Sequence, residues 1–132
     1  MSEQPICSSS ALEDGGPGVR FVVDESGLAR NAFAVRHFGR VSAFINQCPH
    51  AWTELDWEPG KFFDFSKLYL ICATHGAMFE PHNGRCVAGP CRGAALEKLD
   101  IVERDGDVYL IETSEVTLKT ASDNLLRKKT TG

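Results

Sequence analysis

Residues 31–50 read NAFAVRHFGRVSAFINQCPH, and their pattern decides the fold. Asn31–His37 alternates apolar and polar side chains as a half-buried strand does, Phe38-Gly39-Arg40 makes a turn, and Val41–Gln47 returns. The spacing predicts a β-hairpin whose second strand delivers Cys48-Pro49-His50 onto a loop. On the N-terminal side, Arg20–Asp24 (RFVVD) is a further strand. Leu68–Cys72 (LYLIC) is a short apolar run of β type that ends in Cys72-Ala73-Thr74-His75-Gly76. Ala95–Val102 leads through Arg104-Asp105-Gly106-Asp107 into Val108–Ile111, and an Asp-Gly pair between apolar runs is a strong hairpin signal. No segment before residue 114 sustains a 3.6-residue period, so the body is expected to be all-β, a small sandwich or barrel.

The chain has 132 residues, which suits one compact domain with short tails. At 42% hydrophobic residues it can bury a core without depending on metal or disulfides to fold. A net charge of −4 argues against a nucleic-acid partner. No apolar run approaches the roughly 18 residues that would span a bilayer, and the N-terminus lacks the basic and apolar regions of a secretory signal, so the expected location is cytoplasmic and away from membranes. Three regions are expected. Residues 1–17, rich in Ser, Gly, Pro and acid, read as a disordered leader. Residues 18–114 form the domain. Residues 115–132 form a C-terminal tail, in which Ser122-Asp123 could cap a short helix running through Leu125, Leu126 and Arg127-Lys128-Lys129. Residues 1–114 carry 10 basic and 16 acidic groups and the tail carries 4 and 2, so the tail is oppositely charged to the body.

Five cysteines, Cys7, Cys48, Cys72, Cys86 and Cys91, occur with histidines in a chain expected in a reducing compartment, which indicates a metal site more than a disulfide framework. Two thiolates and two imidazoles also describe a tetrahedral zinc site. Zinc fingers, however, usually pair Cys with Cys and His with His along the chain, whereas here each loop supplies one of each, as C-x-H and C-x₂-H. That interleaving favours a two-iron cluster in which one iron takes both thiolates and the other both imidazoles.

The pattern C-x-H…C-x₂-H-G, followed by an aromatic and then Gly89-Pro90-Cys91, resembles the Rieske [2Fe–2S] family over roughly residues 18–113. The resemblance implies a Rieske-type fold: a small β-sandwich or barrel base carrying a cluster-binding loop subdomain. It also implies one [2Fe–2S] cluster per chain, with Cys48 and Cys72 on the inner iron and His50 and His75 on the outer one. The Gly89-Pro90-Cys91 loop would cover the third side. Between His50 and Cys72 lie 21 residues, a few more than the family spacing; the extra length around Asp56–Lys67 reads as a turn or added hairpin, a mild change for a loop.

The ligand set fixes the expected chemistry. Neutral imidazoles in place of two thiolates make reduction easier, so Rieske potentials cover about −150 to +300 mV while plant-type ferredoxins lie near −400 mV. Rieske proteins of the respiratory type resemble one another in a Ser two residues and a Tyr four residues after the second His; those positions here are Ala77 and Phe79, and neither can donate a hydrogen bond. Thr53 and Thr74 stand where that type has two disulfide-forming cysteines. The resemblance is thus to low-potential ferredoxins of bacterial oxygenase systems, with an expected potential around −150 mV. It implies a one-electron carrier without substrate chemistry of its own, receiving electrons from a reductase and passing them to an oxygenase or other oxidoreductase. The alternative is a small Rieske subunit of a larger enzyme, similar to that of an assimilatory nitrite reductase.

The remaining candidates read more plainly. Cys86 and Cys91 are expected to be reduced thiols packed beside the cluster, and Cys7, in a polar leader, to have no role. His37 and His82 read as surface residues. Trp52 could sit at the exposed rim or pack between the loops. Glu54, Asp56 and Glu58 form an acidic run that reads as a solvated face or as a steering field for a basic reductase.

Overall fold

The computed structural model describes residues 2–49, 53–89 and 93–122. Eleven strands and one three-residue 3₁₀ helix (Ser9–Ala11) are present among them. The strands are β1 (Glu3–Ser8), β2 (Val19–Glu25), β3 (Leu28–His37), β4 (Arg40–Ile45), β5 (Leu70–Ile71), β6 (Met78–Phe79), β7 (Cys86–Ala88), β8 (Lys98–Leu99), β9 (Ile101–Arg104), β10 (Asp107–Ile111) and β11 (Val116–Thr120). They form three antiparallel sheets, ordered β11-β2-β3-β4-β8, β1-β10-β9 and β5-β6-β7. Among the described residues no helix is long and apolar enough to cross a membrane.

Three of the hairpins turn on two residues with positive φ: Ser26 and Gly27 (51° and 90°), Phe38 and Gly39 (49° and 80°), Asp105 and Gly106 (52° and 82°). These turns match the right-handed twist of the flanking strands. Phe38 in a left-handed conformation is unusual, and the Asp14 carboxylate holds it there by accepting from Phe38 N at 2.7 Å and Gly39 N at 2.6 Å.

The β3–β4 hairpin is the divider of the molecule. Ala32, Ala34, Ala43 and Ile45 face one core with Ile6, Phe21, Val23, Val108 and Leu110. Phe33, Val35 and Phe44 face a second core with Cys48, Leu55, Phe62, Leu70, Cys72 and Phe79. Phe33 stacks on Phe62 at 3.9 Å between ring centroids. The central stretch of β3 is therefore covered on both faces and not half-buried. Small side chains admit the opposing sheet on one side, and large aromatic ones support the ligand-bearing subdomain on the other.

The two ends of the chain correct the expected boundaries. The segment expected to be a disordered leader supplies β1, which pairs with β10 and buries Ile6 and Cys7 completely. Its strand signal is weak because β1 lies at a sheet edge, where Pro5 is tolerated and a bulge follows. The expected tail likewise begins with β11, which pairs with β2 and turns Val116 and Leu118 toward the first core. The short helix expected beyond Ser122 lies outside the described residues. The run Leu68–Cys72 keeps only Leu70–Ile71 as strand, and Ala95–Val102 is broken at Asp100 into β8 and β9.

Cys7 is a core residue. Burial, reinforced by Asp107 and Glu103, pushes its thiol from 9.0 up to about 12. Because the folded value is raised, the unfolded chain ionises first. The thiol's contribution is fully present below pH 9 and is lost as pH rises from 9 through 12, up to roughly 4 kcal/mol. Urea titrations should therefore show the wild type losing stability more steeply across that window than Cys7→Ala.

Candidate metal centre

The first loop leaves β4 through Asn46, whose N–H donates to Asn31 O at 2.8 Å. Cys48 follows, fully buried and outside any disulfide, and Cys48 N donates to Thr53 O at 2.7 Å, which closes the loop. The base of this loop is held by side chains. Asn46 Oδ1 accepts from Leu55 N and Asn46 Nδ2 donates to Asp56 Oδ1, both at 2.9 Å. Asp56 Oδ2 accepts from Gly60 N at 3.0 Å and lies 3.6 Å from Arg20 Nε. Arg20 Nη2 also meets both oxygens of Glu54, at 3.0 and 2.9 Å.

The second loop connects β5 to β6. Cys72 N donates to Ala77 O at 2.8 Å and Gly76 N to Cys72 O at 2.9 Å, a tight turn in which Gly76 takes φ 74°. The turn directs its residues to different environments: Cys72 is 1% exposed with a free thiol, and His75 stands at the surface. The two loops are joined by Ala73 N donating to Leu55 O at 3.0 Å, and by the Thr53 and Thr74 hydroxyls 3.3 Å apart. The pair expected to replace a disulfide thus meets as a hydrogen bond. After β7, Gly89 (φ 92°) lies so close to the second loop that a Cβ there would come within 3.0 Å of Ala77 Cα. The segment expected to cover the third side therefore begins in contact with it.

Of the four expected ligands, Cys48, Cys72 and His75 are described, and His50 lies outside the described residues, as do Trp52 and Cys91. Among the described residues no three His, Cys, Asp or Glu side chains gather around a single ion. The donor set nonetheless fits a cluster divided between two irons. Neither Cys48 nor Cys72 is in a disulfide and both sit in an apolar core, where a buried sulfur-bound iron belongs, while His75 is on the water side.

Three expectations are corrected. Cys86 is disulfide-bonded and not a reduced thiol, its partner lying outside the described residues. A disulfide requires Cα atoms within about 4.4–6.8 Å, a matter of turn geometry that sequence spacing does not supply. His37 is buried at 5% exposure, its Nδ1 3.2 Å from His82 Nε2 and its ring against Phe38 and Phe63. The acidic run is not one solvated face: Asp56 is buried, Glu54 is bound by Arg20 and Asn31, and Glu58 pairs with Lys61. Sequence reading missed Asn46, whose only signal is a polar residue at the end of an apolar strand.

A protein-family model described as "Rieske [2Fe-2S] domain" matches residues 2–115. No curated protein sequence matches the chain significantly. Among solved structures, the chain is similar to the ferredoxin of carbazole 1,9a-dioxygenase from Nocardioides aromaticivorans IC177, with 23% identity over 86% of this chain and 100% of that one, at a TM-score of 0.65. It is also similar to Sphingomonas yanoikuyae B1 ferredoxin, with 20% identity over 85% and 100%, at a TM-score of 0.66. A third similar structure comes from a complex of reduced oxygenase and oxidised ferredoxin in carbazole 1,9a-dioxygenase, with 20% identity over 89% and 97%, at a TM-score of 0.64.

Proposed function

The chain belongs to the Rieske [2Fe–2S] domain family, and on that premise we propose that it is a one-electron carrier holding one cluster per chain on Cys48, His50, Cys72 and His75. In this reading the thiolates of Cys48 and Cys72 hold the inner iron and the imidazoles of His50 and His75 the outer one. The cluster supplies a single reversible electron at low potential. The observation that carries the reading is the division within one tight turn, Cys72 at 1% exposure and His75 at the surface. The apolar core around the cysteines excludes water, and the surface imidazole offers the contact through which an electron enters and leaves. Among the similar structures is one from a complex of ferredoxin with its oxygenase, which supports an oxygenase as acceptor; a reductase as donor and a cytoplasmic location complete the reading.

Anaerobic mixing tests this. The dithionite-reduced protein, freed of excess reductant and mixed with an oxidised Rieske-type oxygenase, should deliver one electron per chain, and it should transform no aromatic substrate alone. Delivery of two electrons, or turnover without the oxygenase, would overturn the assignment.

A further inference from the structure

Asn46 and Asp56 are 4% and 6% exposed in a molecule whose core is otherwise largely apolar. Burying an amide and a carboxylate is costly unless each is hydrogen-bonded, and both are. Asn46 uses its amide in both directions, accepting from Leu55 N and donating to Asp56 Oδ1. Asp56 uses its other oxygen for Gly60 N and faces Arg20. A buried polar pair of this kind is often no more stabilising than apolar side chains of similar volume; what it adds is direction. The Leu55 backbone is held at both of its polar groups, its N–H donating to Asn46 Oδ1 and its C=O accepting from Ala73 N. Asn46 precedes Cys48 by two residues, and Ala73 follows Cys72 directly. A continuous line of hydrogen bonds therefore runs from Asp56 through Asn46 and Leu55 to the residue beside Cys72.

We infer that Asn46 and Asp56 are positioning residues: a buried clasp that sets the separation of the two ligand loops, and with it how firmly iron is retained between Cys48 and Cys72. The inference rests on the ligation proposed above. Asn46→Ala removes both amide contacts. In Asp56→Asn the new NH₂ must face another donor, either Gly60 N–H or the Asn46 NH₂, so one contact is lost whichever way it turns. Val23→Ala is the control, since Val23 lies fully buried in the first core, away from the loops.

The experiment follows iron release to a ferrous chelator from the intact, dithionite-reduced protein, with its electron paramagnetic resonance spectrum and melting temperature. Asn46→Ala and Asp56→Asn should release iron at least about tenfold faster than wild type, with a changed spectrum. Val23→Ala should lower the melting temperature but keep the wild-type release rate and spectrum. If both clasp variants behave like Val23→Ala, the clasp is merely structural and the inference fails. Should Asn46→Ala not fold, Asp56→Asn alone decides. A wild-type protein without iron would overturn the ligation itself, a separate and distinguishable failure.

Discussion

His75→Ala is expected to give a folded protein that has lost its visible absorption. His75 stands at the surface of the second loop, so its imidazole adds little to packing, and the far-ultraviolet circular dichroism of the variant should match that of wild type. The turn itself is closed by the backbone bonds from Cys72 N to Ala77 O and from Gly76 N to Cys72 O. On the proposed ligation, the substitution would remove one of the four residues that hold the cluster. Cys48→Ala, Cys72→Ala and His50→Ala should also be colourless, but Cys48 and Cys72 are buried in the second core, so their loss mixes packing with ligation. His75 separates the two. A His75→Ala protein that keeps the wild-type spectrum would show that another group completes the site.

The second large effect is on the potential. Ala77 and Phe79 are both fully buried at the base of the second loop. Neither can donate a hydrogen bond, so on the proposed ligation the more negative, reduced state would lack two stabilising contacts. Ala77→Ser and Phe79→Tyr should each raise the potential. A hydrogen bond to a charged group contributes about 1.5–3 kcal/mol, and about 1.4 kcal/mol corresponds to 59 mV for one electron, so each variant should move upward by roughly 60–130 mV. From a wild-type value around −150 mV, the double variant should lie near or above zero by protein-film voltammetry. A clearly positive wild-type potential, or variants that leave it unmoved, would contradict the role given to these positions.

Much of this was legible in the sequence because it is local. The β3–β4 hairpin is written in its alternation and its Phe38-Gly39 turn, and the β9–β10 hairpin in Asp105-Gly106. What escaped depends on pairing across the chain. β1 reads as a polar leader because its order comes from β10, more than 90 residues later. The alternation of Val116-Thr117-Leu118-Lys119-Thr120 carries a strand signal, but the basic residues beyond it give the whole segment the character of a tail. The Cys86 disulfide, the burial of His37 and the Asn46–Asp56 clasp are all contacts between side chains brought together by turns, and no periodicity announces them. Glu54, Asp56 and Glu58 show the point most directly: three similar carboxylates in one short run meet three different environments.

The two loops, on the ligation proposed above, hold a two-iron cluster. Anaerobically purified protein should contain two irons and two acid-labile sulfides per chain, with visible absorption that bleaches when dithionite adds one electron. A colourless protein carrying a single zinc ion would rule the cluster out.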